Sequence, residues 1–283
     1  MPAANVTVNA TFLAEWKWLQ NRMAAGGDIK LGNDITCLDQ SEGPLNVPEG
    51  VTVTLDLNGC VINRALTAGT SNGSVITVNG TLTVKDSRAT EEHRNPSITL
   101  HQPRHEGDRH REGRHHHRRK NSGNGGGVYV AAGGAFTMND SSITSNSFGN
   151  GSPEFESFGG GVYVAKRGTF TMNGGEITDN GGSANEYVHF FGTGVANAGT
   201  FIVSGDARVV YNRIGDAEEG DVYLPNGNVI TVTGALGEKA VFNVTAGALS
   251  EDDYVTICLP RAFMPSRWLG RTSIRFSSIP SPS

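Results

Sequence analysis

The chain is poor in the residues that most often announce a chemistry. Of its 283 residues only 18% are charged, 7% are aromatic and three are Cys. Cys37, Cys60 and Cys258 cannot close a disulfide framework, so a small cross-linked scaffold is excluded, and three cysteines fit a reducing or an oxidising compartment equally well. No run approaches the ~20 apolar residues of a membrane-spanning helix. There is no Gly-Lys-Ser/Thr phosphate loop and no EF-hand spacing. What is abundant is Gly, with 38 residues, roughly twice the ordinary ~7%. Gly does not recur at every third position, which excludes collagen, and alternating Val/Thr/Phe patches argue against wholesale disorder.

The net charge of −5 averages two unlike compositions. Between His101 and Lys120 lie six Arg and one Lys against Glu106, Asp108 and Glu112, a local balance of +4, which leaves −9 for everything else. Seven of the eight His fall between His93 and His117, and the stretch Tyr254–Ser283 holds four Arg and no acidic residue.

Self-similarity decides the fold. Gly125-Gly126-Gly127-Val128-Tyr129-Val130 recurs 34 residues later as Gly159-Gly160-Gly161-Val162-Tyr163-Val164. The same offset carries Phe136-Thr137-Met138-Asn139 onto Phe170-Thr171-Met172-Asn173, and Ile143-Thr144-Ser145-Asn146 onto Ile177-Thr178-Asp179-Asn180. A degenerate third copy runs from Gly194 through Phe201 to Asn212, with relatives at Val75–Val84 and Asp221–Thr233. Within each copy the apolar period is two, so the pieces are strands. Such short strands cannot bury their apolar face alone, but stacked at ~4.8 Å they form a continuous core. The expected fold is all-β: a right-handed parallel β-helix. Phe136, Phe170 and Phe201 should form an internal ladder, topped by Leu82. Asn146, Asn180 and Asn212, each closing an Ile/Val-x-x-Asn block, should form an amide ladder at a corner, where side-chain amides satisfy turn backbone groups.

Phe12, Trp16, Leu19 and Met23 follow 4-3-4 spacing and predict a helix over residues 11–24, with Trp16 inward and Trp18 at the rim. An amphipathic helix there would cap the open end of the solenoid. The expected organisation is a capping region at 1–26, a β-helix over 27–258 interrupted by a His/Arg-rich insertion at about 88–120, and a disordered Arg/Ser/Pro tail at 259–283.

The succession of that helix, Gly27-Asp28-Ile29-Lys30-Leu31, Val53–Gly59, the Gly-Gly-Gly-Val-Tyr-Val blocks and Phe-Thr-Met-Asn resembles bacterial surface proteins of the pectin-lyase-like β-helix class. The Asp221-Val222-Tyr223-Leu224-Pro225 stretch with Ile230–Leu236 resembles their closing region, and the Gly-Gly-Gly-Val and Ile-Thr-x-Asn blocks are similar in style to polymorphic outer-membrane protein repeats. The resemblance covers roughly residues 5–90 and 121–258. It implies a surface or extracellular location and an adhesin or passenger role, although residues 1–25 contain no signal-peptide apolar segment.

The chemistry-bearing candidates are few. Tyr129 and Tyr163 should point outward one coil apart, as rungs for a sugar ring or a protein partner, or else pack under the loop 147–158 with Phe148, Phe155 and Phe158. The acidic stretch Asp216, Glu218, Glu219, Asp221 offers oxygens for a weak Ca²⁺ site, with a solvated loop as the favoured alternative. No other cofactor is expected. The His/Arg tract has neither the spacing of a structural zinc site nor interleaved aromatics for single-stranded nucleic acid, so it reads as a solvated loop. Outward positions in the repeats are Thr, Tyr and Ala, a poor set for acid/base work. The leading expectation is therefore a non-enzymatic, surface-exposed module for adhesion, glycan or partner binding, or scaffolding. The alternative is a lyase or hydrolase acting on acidic polysaccharide. A further one is a partial or out-of-frame product without independent function, prompted by the composition switch near 88–120 and the return to repeat register at Asn121.

Overall fold

A computed structural model describes residues 15–66, 73–88, 97–99, 124–146, 157–182, 190–214, 221–225, 227–246, 257–258 and 273–278. Strand after strand pairs in parallel with its counterpart in the next coil, and the chain winds into a β-solenoid preceded by one helix, Glu15–Ala25. Face 1 is an eight-stranded sheet built from Gly27–Lys30, Thr52–Asp56, Thr81–Lys85, Ala135–Asn139, Thr169–Met172, Thr200–Gly205, Ile230–Leu236 and Ile257–Cys258. Face 2 runs Ile35–Thr36, Ile62–Asn63, Ser97–Thr99, Ser142–Thr144, Glu176–Thr178, Arg208–Val209. Face 3 runs Leu45–Val47, Ile76–Val78, Val128–Val130, Val162–Val164, Val195–Asn197, Val222–Leu224. Faces 2 and 3 meet in one strand, Val241–Ala246, which pairs with Arg208–Val209 through its first residues and with Val222–Leu224 through its last three.

The period-two pattern explains the interior. Most strands alternate buried residues with more exposed ones, as in Ala135–Asn139 and Thr169–Met172. Phe136, Phe170 and Phe201 are in register, with ring centroids 5.0 Å apart at each step and interplanar angles of 7° and 2°. Leu82 precedes them in the same row, and Phe242 meets Phe201 edge-on at 6.4 Å. Burying each Phe stabilises the coil stack by about 1.5–3 kcal/mol. The helix lies over the first coil with Trp16, Leu19 and Met23 buried, and Trp16 Nε1 donates to the Gly43 carbonyl at 3.1 Å, while Trp18 is left exposed.

Two features depart from the organisation expected above. Ser97–Thr99, inside the interval read as an insertion, pairs with both Ile62–Asn63 and Ser142–Thr144. The alternation of Ser-Ile-Thr places Ile98 in register with Ile62 and Ile143, so the solenoid pattern extends to Thr99, and residues 100–123 lie outside the described residues. Likewise, Ser273–Ser278, inside the segment read as a disordered tail, pairs along its whole length with Val241–Ala246. Its Ser-Ile-Arg-Phe-Ser-Ser sequence has the same period of two, which the surrounding Arg/Ser/Pro composition obscures.

The corners are unequal. Faces 3 and 1 are joined by residues 48–51, 79–80, 131–134, 165–168, 198–199 and 225–229, none longer than five residues. Faces 2 and 3 are joined by residues 37–44, 64–75, 100–127, 145–161, 179–194 and 210–221, so the largest variation in coil length falls at this corner; faces 1 and 2 are joined by short connections except for residues 86–96.

Candidate functional site

That variable corner is held by an amide ladder. Asn146 Nδ2 donates to Asn180 Oδ1 at 2.8 Å, and Asn180 Nδ2 donates to Asn212 Oδ1 at 2.9 Å. The backbone N–H of Asn146 and of Asn180 donates to the same Oδ1 atoms at 3.0 and 3.1 Å. Each amide also donates to a carbonyl two residues earlier in its own coil, at 3.0 Å in every case. All three Asn are buried, so the groups they satisfy have no access to water. The residue before each, Ser145, Asp179 or Tyr211, takes a left-handed conformation with φ of 59°, 54° and 60°. That turn swings the Asn side chain into the stack.

The glycine triplets belong to this ladder. A Cβ on Gly161 would lie 2.7 Å from the Gly194 carbonyl oxygen, 2.8 Å from Ile177 Cγ2 and 3.0 Å from Asn180 Nδ2. Gly127 and Gly194 stand in the equivalent place against Asn146 and Asn212. The third glycine is therefore the space the ladder amide occupies. One coil on, through the Val195–Val222 register, the position of Gly194 is taken by Asp221. Its buried carboxylate replaces the next Asn: Oδ1 accepts from Asn212 N at 2.8 Å and Asn212 Nδ2 at 2.7 Å, and Oδ2 accepts from Asn243 Nδ2 at 2.5 Å. Sequence reasoning offered Asp221 as one oxygen donor of a weak Ca²⁺ site, with a solvated loop favoured; here its carboxylate accepts from the ladder amide of Asn212. Asp216, Glu218 and Glu219 lie outside the described residues. Among the described residues no group of three or more His, Cys, Asp or Glu side chains is arranged to hold a metal ion.

In the earlier coils the same corner is tied differently. Arg64, 2% exposed, donates to the Ser74 carbonyl at 2.6 Å and to the Glu42 carbonyl at 2.9 Å. Burial, opposed by the nearby Cys37 thiol, lowers its pKa. Nothing in the sequence around Arg64 repeats, so periodicity gave no signal for it.

Outside the corner, on face 3, the outward positions form one row along the axis: Asn46, Thr77, Tyr129, Tyr163, Ala196, Tyr223 and Thr245. The rings of Tyr129 and Tyr163 stack with centroids 5.6 Å apart and 28° between planes. Two short parallel strands, Ser157–Phe158 and Phe190–Phe191, lead into successive coils at the variable corner and bring two more rings to this row. Phe158 lies 6.1 Å from Tyr163 and 6.2 Å from Tyr223, and Phe191 lies 5.3 Å from Phe158 and 4.7 Å from Tyr223. They fill the gap left by Ala196, which is buried although its position faces outward. The glycine after each, Gly159 or Gly192, has φ of 70° or 63° and turns the chain back into face 3.

Tyr129 and Tyr163 occupy adjacent outward positions one coil apart. Tyr163 packs against Phe158, a member of the overlying segment; Phe148 and Phe155 lie outside the described residues. Burial, with the neighbouring Tyr129 second, raises the pKa of the Tyr163 hydroxyl. All five rings nevertheless remain half-buried. Sequence periodicity found the two tyrosines because they sit in identical repeats, with Phe158 expected over them; Phe191 was missed because it arrives from a two-residue strand outside the three faces, and Tyr223 because Ala196 stands between it and Tyr163 in the row.

No described helix is long and apolar enough to cross a membrane, which says nothing of a crossing made by strands. No family model, no curated protein and no solved structure matches the chain.

Proposed function

We propose that the chain is a non-enzymatic recognition module, displayed at a cell surface or exported, that binds a glycan or a partner protein through the aromatic row of face 3. The observation that carries this reading is the half-buried cluster of Tyr129, Tyr163, Phe158, Phe191 and Tyr223 on the outside of a chain with so few aromatic residues. Aromatic side chains concentrated on a partly exposed surface mark binding faces, because they supply large contact area at low conformational cost. The row borders the corner where the longest connections lie, and a rigid scaffold carrying variable connections is a common basis for recognition. The likeness of the repeats to bacterial surface β-helices supports the location.

The test is binding of immobilised glycans and of cell-surface extracts by the wild-type chain and by Tyr163→Ala, with the melting midpoint followed in parallel. The reading expects specific binding that Tyr163→Ala weakens while a folded solenoid remains. Release of unsaturated or reducing-end products from an acidic polysaccharide at robust turnover would establish the lyase or hydrolase alternative instead. Binding that is indifferent to Tyr163→Ala would place the recognition surface elsewhere.

A further inference from the structure

We infer that the step beside Tyr129 is a subsite for one residue of an uncharged glycan. This inference rests on the recognition role proposed above and names its ligand. Along the aromatic row the rings turn their faces to one another: Tyr129 on Tyr163 at 28°, Phe158 on Phe191 at 19°. A row stacked in this way offers mainly ring edges to a ligand. Tyr129 differs because it ends the row of rings, as Tyr223 does at the opposite end, where Thr245 follows in register. The neighbour of Tyr129 on one side is Tyr163, and on the other side the register places Thr77, which has no ring. One face of Tyr129 therefore stands over the row position of Thr77, one strand spacing or about 4.8 Å away.

The floor of the step is polar and incompletely used. Asn79 lies two residues beyond Thr77 on the same outward side, and Asn46 pairs with Thr77 in the preceding coil. Asn79 Nδ2 donates to Asn46 Oδ1 at 2.8 Å. This bond fixes both amides and leaves Asn46 Nδ2 as a donor and Asn79 Oδ1 as an acceptor, neither with a protein partner among the described residues. All four residues are half-exposed. An aromatic face meeting a fixed donor–acceptor pair suits a pyranose ring: its C–H face packs on the π surface, and adjacent hydroxyls, each both donor and acceptor, engage the two amides. Asn46, Thr77, Asn79 and Tyr129 carry no charge, so the step supplies no counter-ion for a uronate or sulfate group and favours a neutral sugar.

The probes are cellohexaose, chitohexaose and maltohexaose as neutral ligands, with polygalacturonate and heparin as acidic ones, measured by calorimetry on the full chain. The expected result is binding of a neutral hexasaccharide, weakened about tenfold or more by Tyr129→Leu and by Asn79→Ala, the loss equivalent to one stacked ring or one hydrogen-bonded pair. Tyr129→Phe keeps the ring face and should retain binding within about threefold. Asn173→Ala, which removes an exposed stacked amide at the end of the face 1 strand Thr169–Met172, should also leave it unchanged. Tighter binding of an acidic polymer, or neutral binding indifferent to Tyr129→Leu and Asn79→Ala, would overturn the subsite. Failure of all sugars together with protein-partner binding that Tyr163→Ala abolishes would overturn the subsite and leave the recognition role intact. Unchanged melting midpoints for the variants separate lost binding from lost fold.

Discussion

Replacing Asn180 by Ala tests the corner architecture most directly. The side chain is 1% exposed and makes five contacts within hydrogen-bonding distance. Its Nδ2 donates to the Ile143 carbonyl at 2.9 Å, the Thr178 carbonyl at 3.0 Å and Asn212 Oδ1 at 2.9 Å; its Oδ1 accepts from Asn146 N at 3.0 Å and Asn146 Nδ2 at 2.8 Å. Alanine restores none of these, and the Asn146 backbone N–H is stranded in a place water cannot reach. A stranded buried group costs about 1–3 kcal/mol. With the Asn146 N–H and at least one carbonyl affected, the expected destabilisation is about 3–4 kcal/mol. Asn173→Ala is the matched control. It removes an amide bonded in the same inter-coil manner, donating to Asn139 Oδ1 at 2.9 Å and accepting from Ser204 Oγ at 2.9 Å, but Asn173 is exposed. Water replaces those partners, so the loss should stay below about 1 kcal/mol. Urea denaturation followed by far-ultraviolet circular dichroism reads both, with the slope compared to check that the two variants unfold in the same manner. Equal midpoints for Asn180→Ala and Asn173→Ala would refute the claim that burial of the ladder, and not the mere presence of stacked amides, holds this corner.

Two more outcomes follow from the same geometry. Gly161→Ala should lose about 1–3 kcal/mol, since its Cβ would meet the Gly194 carbonyl oxygen at 2.7 Å, whereas Gly32→Ala, with no atom within 4 Å, should be close to neutral in the same assay. Tyr163 should ionise above the ordinary phenol range in a spectrophotometric titration near 295 nm, and Tyr163→Phe should remove that late transition. The folded state holds this proton to higher pH than the unfolded chain does. Its contribution to stability is therefore complete below the ordinary phenol pKa and declines as pH rises through it; a titration with no late tyrosine would contradict the packing seen around Phe158.

The solenoid, the inward Phe row and the Asn ladder were legible in the sequence because stacked coils repeat their environments. A position that is buried in one coil is buried in the next, so residue type recurs at the coil offset. Where an environment occurs once, no recurrence marks it. Asp221 replaces a ladder Asn from a different strand, and Arg64 ties a corner carbonyl pair without a homologue in the next coil. Composition also misled: Ser97–Thr99 and Ser273–Ser278 are short strands within stretches dominated by Arg, His, Ser and Pro, and their two-residue period is drowned by the flanking residues.

The sequence by itself thus determined the parallel coil architecture, since only stacking can bury such short alternating strands, and it determined which side chains face inward. The tertiary structure decided what lies beside what across coils of unequal length. It set the register that makes each third glycine the seat of an amide, ended the ladder on a carboxylate, and left one ring face of Tyr129 over a polar floor. The carboxylate end of the ladder and the polar floor beside Tyr129 are each met once along the stack, and a linear pattern carries no record of them.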